Sequence, residues 1–389
     1  MDIGVDLRCL LSTHRTGVGE YAAELLSAIF NLDSENQYYL FYNSLSEKTP
    51  PLLQFLKPNV HILATRYPNK LFNLAIKIFN YPKLDSLIAA HFDIPHLDYF
   101  FSPHLNFTCL STKTKHILTV HDLTYDLFPK FLTIKQRWWH RLTSPKGQCR
   151  SAHLIIAPSE NTKRDLINFY QIPENKIHVI YPGLSLVSFP RKRESTIAEP
   201  GFPILVGNDK FNLPKKFILF LGTLEPRKNI AGLITAYESA FHRLNVPHDL
   251  VIAGAPGWKN EKVKALVKHS PLRDKIHFLG FVEVKDKPAL YRGASVFVYP
   301  SFYEGFGFPV LEAMQNGTAV ITSNRSSLSE ITNGAAYLVN PHRPSEISLG
   351  LTKILNSPAL AERFSILGET QATNFSWEKS AKEWLNLLR

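Results

Sequence analysis

The chain of 389 residues is poor in cysteine, in long apolar runs and in acidic residues, and each shortage excludes something. Cys9, Cys109 and Cys149 are odd in number, widely spaced and free of a CxxC, which excludes a disulfide framework and a zinc knuckle and leaves them as reduced packing residues. No apolar stretch approaches the ~20 residues of a membrane-spanning helix. The amino end carries Asp2 and Asp6 before its first basic residue, Arg8, unlike a secretory leader, so a cytoplasmic protein is expected. Acidic residues number 33 against 44 Lys and Arg, a net charge of +11. Such a surface attracts anions: phosphorylated substrates, acidic lipid or nucleic acid. Nucleic acid drops out, because the chain has no recognition motif and no sustained basic helix. No Asp-x-Asp occurs, so no metal cofactor is expected.

What is present is an ordinary globular composition, 44% apolar and 20% charged, on a chain long enough for two cores. Short β-branched and aromatic runs recur at residues 3–7, 38–42, 99–101, 116–120, 154–157 and 177–181, with helical patterns between most of them. The second half repeats the rhythm at 217–221, 250–253, 276–279, 296–299 and 319–322. Near-continuous apolar strands alternating with helices predict α/β architecture with parallel sheets covered on both faces, hence two doubly wound, Rossmann-like domains. The expected organisation is a first domain over 1–187, a Pro-, Gly- and Arg-rich linker or insertion over 188–214, a second domain over 215–374, and a helix over 375–389 that returns to the first domain, with Ser376 as its cap.

The most informative stretch runs from Tyr303 through Glu304, Gly305, Phe306, Gly307, Phe308 and Pro309 to Glu312. A strand, a Gly-rich loop and a short helix follow in order, with Pro309 at a first helical position and Asn316-Gly317 as the stop. Amides at 305–308 then act as helix N-terminal donors, and the glycines let an anion approach the backbone. Glu312, expected inside the first turn, faces one side of the phosphate and Glu304 the other. The plainer readings are that Glu312 offsets the helix dipole and that Glu304 is solvated. In open α/β sheets ligands bind beyond the carboxyl ends of strands. Three further loops fall there: Thr16-Gly17-Val18-Gly19, His121-Asp122, and Gly222-Thr223-Leu224-Glu225-Pro226-Arg227-Lys228-Asn229. Two loops come from each half, an arrangement that allows them to face each other across a cleft. For His121 the plainer reading is a structural tie to Asp122. Residues 67–83 combine bulky apolar side chains with three lysines, either a face for an anionic membrane or a core helix with solvated lysines.

The ordered set Arg15-Thr16-Gly17-Val18-Gly19, His121-Asp122-Leu123, Ala157-Pro158-Ser159-Glu160, the 222–229 loop and the Glu304/Glu312 pair resembles the group 1, family 4 retaining glycosyltransferases of bacterial surface polysaccharide synthesis. The resemblance covers nearly the whole chain and is similar to the O-antigen and exopolysaccharide mannosyltransferase branch. It implies a GT-B fold with the nucleotide-sugar donor on the second half and a lipid-linked or other saccharide acceptor. It further implies that Arg227 and Lys228 neutralise the leaving diphosphate, Glu304 binds the transferred sugar and Glu312 the ribose. By the same resemblance Gly17 and Gly19 let a loop close on the substrates, His121 lies near the reacting centre, and Phe281 and Val282 offer backbone to the base. Thr223 stands where the family often has Arg, Ser329 where it often has Pro, and Asn340 where Asp is frequent. The 188–214 segment is unlike the family.

Rival readings fit less well. A retaining glycoside hydrolase needs carboxyls about 5 Å apart, whereas Glu304 and Glu312 are eight residues apart across a helix start. It also gives Arg227 and Lys228 no role. Gly17 to Ala22 match the GxGxxA of a dehydrogenase, yet the match begins well past the first strand, and residues 38–42 end at Asn43 rather than at a ribose-binding acid. A non-catalytic nucleotide-binding scaffold is the remaining alternative. The expected reaction is hexosyl transfer, of mannose from GDP-mannose, with a UDP-sugar as the alternative donor.

Overall fold

The structure, a computed structural model, describes residues 1–11, 17–45, 55–185, 211 and 213–389. Arg15 and Thr16 and almost all of the 188–214 segment lie outside the described residues. The chain divides into two compact units: Met1–Gly183 together with Phe375–Arg389, and Leu184–Asn374.

Unit 1 is built on strands β1 (Asp2–Asp6), β2 (Gln37–Asn43), β3 (Val60–Thr65), β4 (Tyr99–Ser102), β5 (Lys115–Thr119), β6 (Leu154–Ala157) and β7 (Ile177–Val179). Their order across the sheet is β3-β2-β1-β4-β5-β6-β7, every pair parallel. Ile3 of β1 sits opposite Tyr38 on one side and Tyr99 on the other. Parallel strands need crossover connections, and the helices that supply them cover the sheet, so Ile3, Val5, Phe100 and Phe101 are wholly buried. The strand β3 was not among the sequence expectations, because His61 and a half-exposed edge break its apolar run.

The carboxyl-terminal helix Trp377–Asn386 belongs to this unit. Ser376 caps it, its side chain accepting from the Lys379 amide at 3.2 Å. Trp384 is fully buried against Phe101, ring centroids 5.2 Å apart, and Ser380 Oγ donates to the Tyr181 carbonyl at 2.6 Å. Gly183 is needed where the chain passes the helix start, since a Cβ there would lie 2.0 Å from the Trp377 amide nitrogen.

The helix Asn69–Phe79 shows why residues 67–83 read ambiguously. Phe72 and Ile76 point into the core, whereas Leu71, Leu74 and Ile78 form an exposed apolar stripe on the same helix. Lys70 and Lys77 are exposed as well.

Unit 2 has strands β8 (Phe217–Leu221), β9 (Asp249–Ala253), β10 (Ile276–Gly280), β11 (Val296–Tyr299), β12 (Val320–Ser323) and β13 (Tyr337–Val339), in the order β10-β9-β8-β11-β12-β13, all parallel. Phe217–Leu221 and Val296–Tyr299 are buried throughout and form the centre. β13, another edge strand, is three residues long and escaped the sequence reading. Each sheet reverses its strand order once, between β1 and β4 and between β8 and β11. Loops after those strands diverge to opposite faces and leave a crevice.

Candidate active site

In unit 2 the loops after β8 and β11 bring the predicted residues together. Pro226–Lys228 forms one 3-10 turn, closed by Asn229 in the left-handed region (φ 57°). Asn229 Nδ2 donates to the carbonyls of Pro300 (3.2 Å) and Pro341 (2.7 Å), which pins the turn to the β11 loop. Arg227 NH1 then meets Glu304 Oε2 at 2.6 Å and donates to the Tyr303 carbonyl at 2.8 Å, while NH2 meets Glu225 Oε1 at 2.6 Å. Lys228 Nζ donates to Glu304 Oε1 at 2.6 Å and to the Tyr299 hydroxyl at 2.5 Å. Ser301 Oγ completes the set, donating to Glu304 Oε1 at 2.5 Å.

Two carboxylates therefore balance two cations in a buried cluster. Burial opposes ionisation of Glu304, but Arg227 and then Lys228 outweigh it and hold its carboxyl down at about 2. Burial lowers the pKa of Lys228, reinforced by Arg227 and opposed by Glu304. The solvated reading of Glu304 is thus overturned: the residue is 7% exposed.

The Gly-rich loop is held from behind. The Glu304 amide donates to Ser326 Oγ at 2.9 Å, and Ser327 Oγ donates to the carbonyls of Glu304 (2.9 Å) and Phe306 (2.5 Å). Phe306 is buried, as Gly305 and Gly307 are. Gly307 has φ +123°, and a Cβ there would lie 2.6 Å from Leu328 Cδ2. Only glycine fits both conditions. The helix that follows is Phe308–Gln315, so Pro309 is its second residue, one later than expected. Glu312 is accordingly the fifth residue of the helix, one position beyond the first turn in which the sequence reading placed it. Its partners are Lys287 Nζ at 2.9 Å and the Tyr291 hydroxyl at 2.7 Å, from the helix Lys287–Gly293. The two glutamates occupy separate environments. Thr223 is exposed at the tip of β8, its carbonyl accepting from the Glu225 amide at 2.9 Å. Beyond β10 the chain turns at Gly280 (φ +72°), leaving Phe281 exposed and Val282 buried.

Unit 1 presents a different set at its own reversal. Gly17 and Gly19 open the helix Gly17–Leu32 instead of lying in a loop, and a Cβ at Gly17 would meet nothing within 4 Å. His121, after β5, has its Nε2 2.9 Å from the Pro103 carbonyl and its ring edge-to-face with Tyr21 at 4.8 Å. A carbonyl only accepts, so Nε2 carries the hydrogen. Asp122 instead accepts from the Thr124 amide at 2.9 Å, so no hydrogen bond ties it to His121. Burial lowers the His121 pKa, against the Pro103 carbonyl and Asp122.

Residues the sequence reading passed over lie beside it. Arg8 grips Asp6 with Nε (2.9 Å) and NH2 (2.7 Å), and its NH1 is buried without a partner. His104, after β4, also keeps a buried Nδ1 unpartnered, and burial drives its pKa to about 4. The available signal was an Asp-x-Arg at the end of the first strand and a Ser-Pro-His after the fourth. Among the described residues no group of three or more His, Cys, Asp or Glu side chains gathers to hold a metal ion.

Comparison with known proteins identifies this arrangement. The sequence model of glycosyl transferases group 1 matches residues 206–371, and that of glycosyltransferase family 4 matches residues 16–187. The chain belongs to the group 1, family 4 glycosyltransferases. Over 381 residues, 96% of each chain, the glycosyltransferase is 29% identical to O-antigen chain mannosyltransferase B of Escherichia coli. Its fold is that of sucrose-phosphate synthase from Thermosynechococcus elongatus (TM-score 0.75, 19% identity, 100% of this chain and 98% of that one). It is equally that of Anabaena HepE, solved with UDP and glucose (TM-score 0.72, 17% identity, covering 100% and 99%). The two parallel sheets are the Rossmann-like halves of a GT-B enzyme. No helix of the described residues is long and apolar enough to cross a membrane.

Proposed function

We propose that this glycosyltransferase moves mannose from GDP-mannose, with retention, to a lipid-linked saccharide in surface polysaccharide synthesis. The observation that carries the reading is the Arg227–Glu304–Lys228 cluster at the strand-order reversal of unit 2. A donor diphosphate brings negative charge to two cations that Glu225 and Glu304 already neutralise. It takes over part of their pairing, and the released carboxylate oxygen accepts hydrogen bonds from the hydroxyls of the sugar. The bond from the anomeric carbon to the phosphate oxygen breaks, its electron pair stays with the nucleoside diphosphate, and the acceptor hydroxyl oxygen forms the new bond on the same face as its proton passes to the departing phosphate oxygen. Arg227, Lys228 and the N-terminal end of Phe308–Gln315 stabilise the developing charge without a metal. Glu312 binds the ribose, the loop at Phe281 and Val282 the base, and Gly17, Gly19 and Thr223 the donor's remaining backbone contacts. His121, its Nε2 committed to Pro103, keeps Nδ1 as an acceptor for a substrate hydroxyl near the reacting carbon.

Similarity to the O-antigen mannosyltransferase favours mannose, and the exposed stripe of Asn69–Phe79 with Lys70 and Lys77 favours peripheral contact with an anionic membrane. A UDP-sugar is the second reading, favoured by the fold shared with an enzyme solved with UDP and glucose. A panel of nucleoside diphosphates screened for thermal stabilisation, followed by hydrolysis and transfer assays with the matching sugars, separates them. Stabilisation by UDP and not GDP overturns the donor, absence of turnover with every donor overturns the enzyme, and activity abolished by chelator overturns the metal-free mechanism. Retention is read from the anomeric configuration of the product by NMR.

A further inference from the structure

The helix Ile134–Thr143, in unit 1, contains no carboxylate and carries Lys135, Arg137, His140 and Arg141. Its start is fixed by a capping box between Thr133 and Gln136. Ile134, Trp138 and Leu142 recur every four residues and stand 72%, 59% and 48% exposed, a bare apolar stripe with a tryptophan at its centre. The Arg141 guanidinium lies over the Trp138 ring at 6.0 Å. Arg137 and Arg141 form no ion pair among the described residues.

Beside this stripe is a cavity of about 270 Å³ lined by Arg137, Arg141, Lys146, His140 and Tyr125. Its one lining carboxylate, Asp126, already accepts a hydrogen bond from the Tyr170 hydroxyl. Lys146 is held loosely, 3.4 Å from the Phe169 carbonyl. The rings of Tyr125 and His140 stack at 4.4 Å, and His140 Nδ1 is buried with no hydrogen-bond partner. The Tyr125 hydroxyl interacts with that of Tyr170. Three cations against one engaged carboxylate call for an anion with several acceptor oxygens. At about 270 Å³ the cavity lies at the small end of ligand sites and suits a small charged group.

We propose that this cavity binds a phosphoryl group, and that the Ile134–Trp138–Leu142 stripe beside it selects one carried on a lipid. A tryptophan flanked by arginines suits the bilayer interface, where the ring is partly buried and the charges meet phosphate. The inference stands apart from the donor chemistry above and requires no particular nucleotide.

The test uses the full chain carrying K70E/K77E, which removes the basic edge of Asn69–Phe79, and two further variants, R137Q/R141Q and W138S. Binding is measured to phosphatidylcholine vesicles with and without phosphatidic acid, and separately to inorganic pyrophosphate by calorimetry. Donor hydrolysis and thermal unfolding serve as controls. The expected result is at least tenfold tighter binding to phosphatidic acid vesicles, lost in R137Q/R141Q, with W138S losing vesicle binding and retaining pyrophosphate. Arginine-dependent pyrophosphate binding with vesicle binding indifferent to W138S overturns the lipid source and assigns the site to a free phosphate. Vesicle and pyrophosphate binding both unchanged in a normally folded R137Q/R141Q overturn the site itself, whatever the donor assays show.

Discussion

The two sheets reverse their strand order in the same way, yet the crevices at the two reversals are wired differently. At β8/β11 Arg227 and Lys228 are matched by Glu225 and Glu304, and the side chains of this cluster leave no buried polar atom unpartnered. At β1/β4 the single Asp6–Arg8 pair leaves Arg8 NH1 without a partner, and His104 Nδ1 is unpartnered beside it. A closed cluster rests in a stable state without ligand and admits an anion only by exchange. An open one keeps hydrogen-bonding capacity that a neutral, hydroxyl-bearing ligand can meet. The exchange of partners at the closed cluster is the behaviour that the proposed binding of a charged donor there requires.

The strongest way to break the comparison is Glu304→Ala, which leaves Arg227 and Lys228 buried with only Glu225. Stability measured by denaturant unfolding should fall by about 3–5 kcal/mol. A loss below about 1 kcal/mol would show that the cluster is not closed in the sense drawn here. Lys228→Ala should lower turnover at saturating donor by about 10²–10³-fold, the scale of one preorganised charge donor. An unchanged rate removes Lys228 from the leaving-group site.

Acid sharpens the contrast. Glu304 is held at about 2 against an ordinary 4.5, so its contribution is fully present above pH 4.5 and lost as pH falls toward 2. The loss is on the order of 3 kcal/mol, and Glu304→Gln should remove it from the pH profile of unfolding. Asp6 is also held low, Arg8 outweighing the cost of burial, so a residual acid dependence should survive in that variant. The smallest expected effect is Trp384→Phe. Its indole N–H is buried without a partner, so the change should cost less than about 1.5 kcal/mol, against about 3–5 for Trp384→Ala.

The central strands were legible because strands buried on both faces read as unbroken apolar runs. The edge strands β3 and β13 were not, since one is half-exposed and the other too short to show a pattern. Arg227, Lys228 and Glu304 were legible as loop motifs, but their pairing was not. Lys228 and Glu304 are 76 positions apart and meet only because β11 inserts beside β8, a fact of topology that no local pattern carries. Glu312 was placed one residue too early because the reading started the helix at Pro309, whereas Gly307, through its backbone angle, lets it begin at Phe308. Asp6, Arg8 and His104 went unnoticed for the same reason as the Lys228 pairing, since they converge from β1 and β4.

The return of Phe375–Arg389 to unit 1 makes that unit discontinuous in the chain while unit 2 is contiguous. During synthesis the first unit emerges early but lacks the helix that covers Tyr21 and Phe101 until Trp377–Asn386 has followed unit 2 out of the ribosome. Unit 2, with its charge cluster, can complete itself first. A stop before Trp377 would therefore injure the sheet laid down by the first residues made, exposing Tyr21 and Phe101, while leaving the Arg227–Glu304–Lys228 cluster assembled.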